Sequence, residues 1–92
     1  MEKENSHYFY VLECSDASFY AGYTNQLERR IATHNAGKGA KYTRARTPVA
    51  CIYTETFATK EEALRAEYAF KQLTRAKKIA YMRRESGEIT EK

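Results

Sequence analysis

Four groups of residues in this 92-residue chain have types and spacings that could carry chemistry. The first is tyrosine. Eight are present, and Tyr10, Tyr20 and Tyr23 lie near one another in sequence. A phenol can donate or accept a proton, though tyrosine is also an ordinary strand residue whose ring packs. The second is Arg30 with His34, four apart and so on one face of a helix. A guanidinium grips a phosphate bidentately, and an imidazole moves a proton near neutral pH. The plainer reading is a surface arginine and a solvated helix-end histidine. The third is Glu67, on or beside the stripe that Ala63 and Phe70 form. Burying a lone carboxylate is costly unless it is paired or bound to a cation. Mg²⁺ takes one or two protein carboxylates plus water and phosphate oxygens. The alternative for Glu67 is an i,i+4 ion pair with Lys71. The fourth is the loop from Gly37 to Arg46. Its Lys38, Lys41, Arg44 and Arg46 suit backbone phosphates, and Tyr42 can stack on a base. The alternative is a merely solvated loop.

Other chemistries lack their residues. The loop is not a P-loop, because G-x-x-x-x-G-K-[ST] is absent. There is no G-x-S-x-G and no H-E-x-x-H, and no cysteine neighbours a histidine in sequence. Two histidines exclude a multi-histidine metal site. Cys14 and Cys51 lie far apart without a C-x-x-C, which reads as a reduced, cytoplasmic chain without a zinc site. No apolar run is long enough to span a membrane, and the polar start, Met1 to Ser6, is not a secretory signal.

Charge is more informative in its placement than in its sum of +4. No acid falls between Arg29 and Thr54, or between Tyr68 and Arg84. The second stretch holds Lys71, Arg75, Lys77, Lys78, Arg83 and Arg84, and the first holds six more. Twelve of the sixteen lysines and arginines therefore sit in two acid-free stretches. Such segregation favours a face for a polyanion, with nucleic acid foremost.

These residues need elements to position them. The length allows one small domain, and 42% hydrophobic with 13% aromatic is a globular profile. His7 to Cys14 is aromatic and β-branched and reads as a strand. Ser15 to Ser18 is turn chemistry, and Phe19 to Thr24 is a second strand, forming a hairpin. Gly22 inside it marks a close approach to the backbone. Paired positions summing to an even number put Tyr10 and Tyr20 on one face; an odd sum puts them on opposite faces. Asn25, with Glu28, reads as the capping start of a helix carrying Leu27 and Ile31. Gly37 suits its left-handed end, and a basic, glycine-containing loop without a helix of its own runs from there to Thr47. After Pro48 comes a third strand, Val49 to Phe57. Thr59 to Glu62 is a capping box for a helix reaching about Leu73. Thr74 can cap a last helix, Arg75 to about Arg84, with Ile79, Tyr81 and Met82 on its apolar side. The expectation is an α+β domain over 7–84, order ββα–βαα, with flexible tails at 1–6 and 85–92.

Tyr8-Phe9-Tyr10, Tyr20-Ala21-Gly22, Arg30, His34 and a late helical Glu67 together resemble the GIY-YIG nuclease domain. The resemblance covers about residues 7 to 84. The loop Gly37 to Thr43 is similar to that of the small standalone bacterial proteins of this superfamily. The first motif lacks its glycine, and the second has alanine for isoleucine. The resemblance implies a three-stranded antiparallel sheet flanked by helices, with Tyr10 and Tyr20 in one site. It implies a metal-dependent endonuclease on DNA, with RNA as an alternative substrate and no membrane partner. One tyrosine, or a metal-bound hydroxide it deprotonates, would start the attack on phosphorus, and Arg30 would neutralise the scissile phosphate. His34 would orient a tyrosine or pass a proton. Glu67 would hold one divalent cation, Mg²⁺ or Mn²⁺. A free tyrosine, with a pKa near 10, is a poor base at pH 7 unless a cation lowers it. Some members also use a late asparagine, and none follows Asn35 here. With no room for a second domain, the implied activity is weak, structure-selective, or dependent on a protein partner. The competing reading is a nucleic-acid-binding module with negligible catalysis.

Overall fold

The computed structural model describes residues 6–86. Strand β1 (His7–Glu13) is the centre of a three-stranded antiparallel sheet, between β2 (Phe19–Thr24) and β3 (Ala50–Phe57). The central position explains its composition. Phe9, Tyr10, Val11 and Leu12 are successive residues pointing to alternate faces, and none is more than 1% exposed. Both faces of the sheet are therefore covered.

The β1–β2 register pairs Tyr10 with Gly22 and Leu12 with Tyr20. Paired positions sum to 32, so the even register holds and Tyr10 and Tyr20 share a face. The connecting turn is braced by Asp16, whose carboxylate accepts from the Ser18 hydroxyl and backbone N–H. Those bonds hold the Asp16 carboxyl below its ordinary value, with Arg46 adding to the effect. On the other side of β1, Val11 pairs with Tyr53 but Leu12 with Cys51. Ile52 is the extra residue of this bulge.

Among the described residues four helices flank the sheet: α1 (Leu27–Asn35), α2 (Lys41–Arg44), α3 (Lys60–Lys71) and α4 (Arg75–Ser86). One face gathers Phe9, Val11, Ala21, Tyr53, Phe70 and Met82, closed by α3 and α4. The other gathers Tyr10, Leu12, Cys14 and Val49, with Leu27 and Ile31 from α1. Thr59 caps α3 by accepting from the Glu62 N–H, and Thr74 accepts from the Lys77 N–H at the start of α4. Among the described residues no helix is long and apolar enough to cross a membrane.

Three expectations need correction. Asn25 does not cap α1. The helix starts two residues later, behind Gln26, and makes no side-chain cap. Thr24 takes the Gln26 N–H on its hydroxyl instead and turns the chain out of the strand. The stretch from Gly37 to Thr47 is not a helix-free loop, because α2 occupies its middle. Both the Thr43 N–H and hydroxyl donate to the Ala40 carbonyl, which closes that turn. The last helix continues to Ser86. The tail residues 1–5 and 87–92 lie outside the described residues. Gly37 does end α1 as expected. It has φ +79°, and the Gly37 and Lys38 N–H groups return to the His34 and Thr33 carbonyls.

Candidate active site

The site is built on the α1 face of the sheet. The Tyr10 side chain leaves β1 toward α1, and its hydroxyl lies 3.0 Å from His34 Nε2. The Arg30 Nε–H donates to the same oxygen over a longer 3.5 Å. Arg30 and His34 are one helical turn apart, so the helix that buries Leu27 and Ile31 brings both to one phenol. Nothing at position 22 intervenes. A Cβ there would fall 2.5 Å from the Tyr10 hydroxyl, so only glycine lets the phenol lie over β2.

His34 is fully buried, which removes the reading of a solvated helix-end residue. Its Nδ1 lies 2.9 Å from the Thr43 hydroxyl, also fully buried. Burial, then the Arg30 charge, push the His34 pKa below its ordinary value, so the ring is neutral at pH 7. Burial raises the Tyr10 pKa, and the Arg30 hydrogen bond only partly offsets this. The lowered phenol that a standing phenolate requires is therefore not present in the free protein.

Tyr20 is half-buried on the same face. Its ring lies 5.3 Å from that of His34 and stacks on Tyr42, with centroids 6.1 Å apart and planes at 21°. Arg46 backs this pair, its guanidinium 4.0 Å over the Tyr42 ring. Arg46 also bonds Asp16 and the Tyr42 carbonyl. It braces the aromatic wall rather than extending into solvent. Arg44 turns to the Gly39 carbonyl, while Lys38 and Lys41 are exposed.

Glu67 comes from the opposite layer, on α3. Its side chain is 16% exposed, and its carboxylate lies 2.8 Å from Lys71 Nζ. The i,i+4 pair is thus real, and Glu67 is also near enough to Tyr10 that its charge helps to raise the phenol. Among the described residues no three of His, Cys, Asp and Glu converge as a metal cage. A single, largely buried carboxylate fits a hard cation that draws its other ligands from water and phosphate, provided Lys71 swings away.

A groove of about 240 Å³ runs along the β2 edge between the two layers. Tyr20 and Tyr42 line one side, and Phe70, Lys71 and Lys78 the other. Arg75 lies over Phe19 in the same wall, 4.3 Å from the ring. The two acid-free stretches therefore meet here. A smaller polar cavity, about 190 Å³, adjoins Arg29 and Arg30.

The sequence reading missed three residues that hold the site together. Thr43 meets His34. Gly39 packs so closely that a Cβ would fall 2.3 Å from His34 Nδ1. Asn35 clamps the chain after α2, taking the Val49 N–H at 2.7 Å and donating to its carbonyl at 3.0 Å. The Gly39-Ala40 pair was the available signal, since small residues in a loop mark close approach.

The comparisons with known proteins agree with this architecture. The family model of the GIY-YIG catalytic domain matches residues 6–80. A UPF0213 protein of Bacillus velezensis is 65% identical over 85% of this chain and 79% of its own. UPF0213 protein YazA of Bacillus subtilis is 60% identical over the same shares. Among solved structures, protein EF2693 of E. faecalis superposes with a TM-score of 0.67 at 52% identity, covering 100% of this chain and 98% of the other. The UPF0213 protein BH0048 of Bacillus halodurans gives a TM-score of 0.55 at 53% identity, over 83% and 81%. With a family match across most of its length and UPF0213 relatives at this identity, the chain belongs to the GIY-YIG family, in the group of UPF0213 proteins.

Proposed function

We propose that the chain is a metal-dependent endonuclease that hydrolyses phosphodiester bonds in DNA, selecting structure rather than sequence. The observation that carries this reading is the convergence of Arg30 and His34 on the Tyr10 hydroxyl. A raised phenol pKa beside a neutral imidazole suits coupled transfer. Tyr10 takes a proton from the attacking water as it passes its own to His34 Nε2, so no free phenolate has to form. Arg30, beside that oxygen, neutralises the phosphate as negative charge grows on it. Glu67 would hold Mg²⁺ or Mn²⁺, which when bound supplies positive charge to the leaving oxygen. Structure selectivity follows from the kind of side chains in the groove. Lysines and stacked rings read backbone and base faces, not base edges.

The Glu67–Lys71 ion pair favours a second reading, a binding module on the same fold, because it occupies the carboxylate a cation needs. One experiment separates them: cleavage of labelled duplex, branched and single-stranded DNAs, with RNA counterparts, in Mg²⁺ or Mn²⁺. Metal-dependent cutting that is lost in both Glu67→Ala and Arg30→Ala is the expected result. Binding without cutting, or cutting that survives both changes, supports the module.

A further inference from the structure

We propose that Thr43 is a positioning residue that sets the tautomer of His34 and so makes Nε2 the acceptor for the Tyr10 proton. The Ala40 carbonyl, 3.0 Å from the Thr43 hydroxyl within its own turn, can only accept, and we assign it the hydroxyl's one hydrogen. Toward His34 Nδ1, at 2.9 Å, the same oxygen can therefore only accept. Nδ1 must carry the imidazole hydrogen. A neutral ring then leaves a lone pair on Nε2, and that is the atom facing the Tyr10 hydroxyl. The other tautomer would aim two N–H groups, from His34 and Arg30, at one phenol and would require the Thr43 hydroxyl to turn its hydrogen from the Ala40 carbonyl to Nδ1.

The short helix α2 and the residues before it serve this arrangement. Ala40 ends the chain of hydrogen bonds, and the missing Cβ of Gly39 lets the turn close on the ring. All of this is sealed, since neither Thr43 nor His34 is exposed. Water cannot replace a lost partner there without rearrangement. A stretch whose composition suggests phosphate binding thus contributes its one buried hydroxyl to the back of the site. The catalytic part of the proposal rests on the proton path from Tyr10 to His34 proposed above; the tautomer does not.

The test uses the full chain labelled with ¹⁵N. It has two histidines, so His7→Gln assigns the His34 signals. Long-range ¹H–¹⁵N correlation at pH 7.5 distinguishes a protonated from an unprotonated ring nitrogen. The wild type and Thr43→Ser should both carry the hydrogen on Nδ1, while Thr43→Val, nearly the same shape, should shift it to Nε2. Cleavage should fall about 10–100-fold in Thr43→Val and recover to within about threefold in Thr43→Ser. A wild-type hydrogen on Nε2 overturns the proposal whether or not the valine variant folds. So does an unchanged tautomer in folded Thr43→Val, or a shifted tautomer with undiminished cleavage. Should no DNA be cut by the wild type, the nuclease reading fails while the spectra still decide the role of Thr43.

Discussion

At Tyr10 the site has no room for one more carbon atom. Gly22→Ala would place a Cβ 2.5 Å from the hydroxyl and 2.6 Å from Cζ of a ring that is itself buried. Overpacking of this kind costs about 1–3 kcal/mol, which urea unfolding of the variant should show as a lower midpoint. His34 has a consequence for pH. Its folded pKa is depressed, so above about 6.5 both folded and unfolded chains carry it neutral. As pH falls below that, the unfolded chain gains a proton first, and stability drops by up to about 1.4 kcal/mol per pH unit. Unfolding at pH 7.5 and 5.5 should show this loss in the wild type, and less of it in His34→Gln. That Arg30 and His34 share one face was legible from their spacing, since one helical turn separates them; that Tyr10 and Tyr20 share a face was not, since it waits on the register. Nor was the role of Thr43. Its partner is nine positions back, and nothing periodic marks a hydroxyl that a turn will bury against an imidazole.

The elements show the same division. Strand composition, turn residues and capping residues locate β1, β2, β3, α3 and α4, because each follows local rules. The hairpin register could not be read from sequence, since the turn's length and the bulk of both faces decide it together. The start of α1 was misplaced because a polar residue before a helix can serve the turn rather than the cap, as Thr24 does. Asn35 is the element-scale joint. It satisfies both backbone groups of Val49 and so ties the end of α1 to the approach of β3. Asn35→Ala leaves those two groups to find water in a partly buried place. A loss of about 1–3 kcal/mol is expected, measured by thermal or urea unfolding, together with weaker hydrogen-exchange protection at Val49.

For the whole molecule the decisive fact is that the sheet separates the two halves of the site. Arg30 and His34 approach the Tyr10 hydroxyl from the α1 layer, and Glu67 comes from α3 in the other, near enough for its charge to reach the phenol. The sequence shows two acid-free stretches but not that they face each other across one groove; that follows only once the layers are assembled. A polyanion lying there releases counterions. DNA affinity should therefore fall steeply with salt, with a slope of roughly −0.9 per phosphate neutralised on duplex and −0.7 on single strands. Lys78→Ala should reduce that slope by about one, equally for all sequences. A fluorescence-anisotropy titration across salt concentrations measures both. A flat response would argue against a polyanion in the groove.

The most direct test of the account is single-turnover cleavage by Tyr10→Phe beside the wild type, on whichever DNA structure the wild type cuts. The substitution removes the one oxygen that His34 and Arg30 share and leaves the buried ring. The account predicts loss of about 10²–10⁴-fold in rate, with the fold retained at a stability lower by about 1–3 kcal/mol, since His34 Nε2 loses its partner, and DNA affinity nearly unchanged. A variant that cuts at the wild-type rate would contradict it, and would move the chemistry away from this phenol.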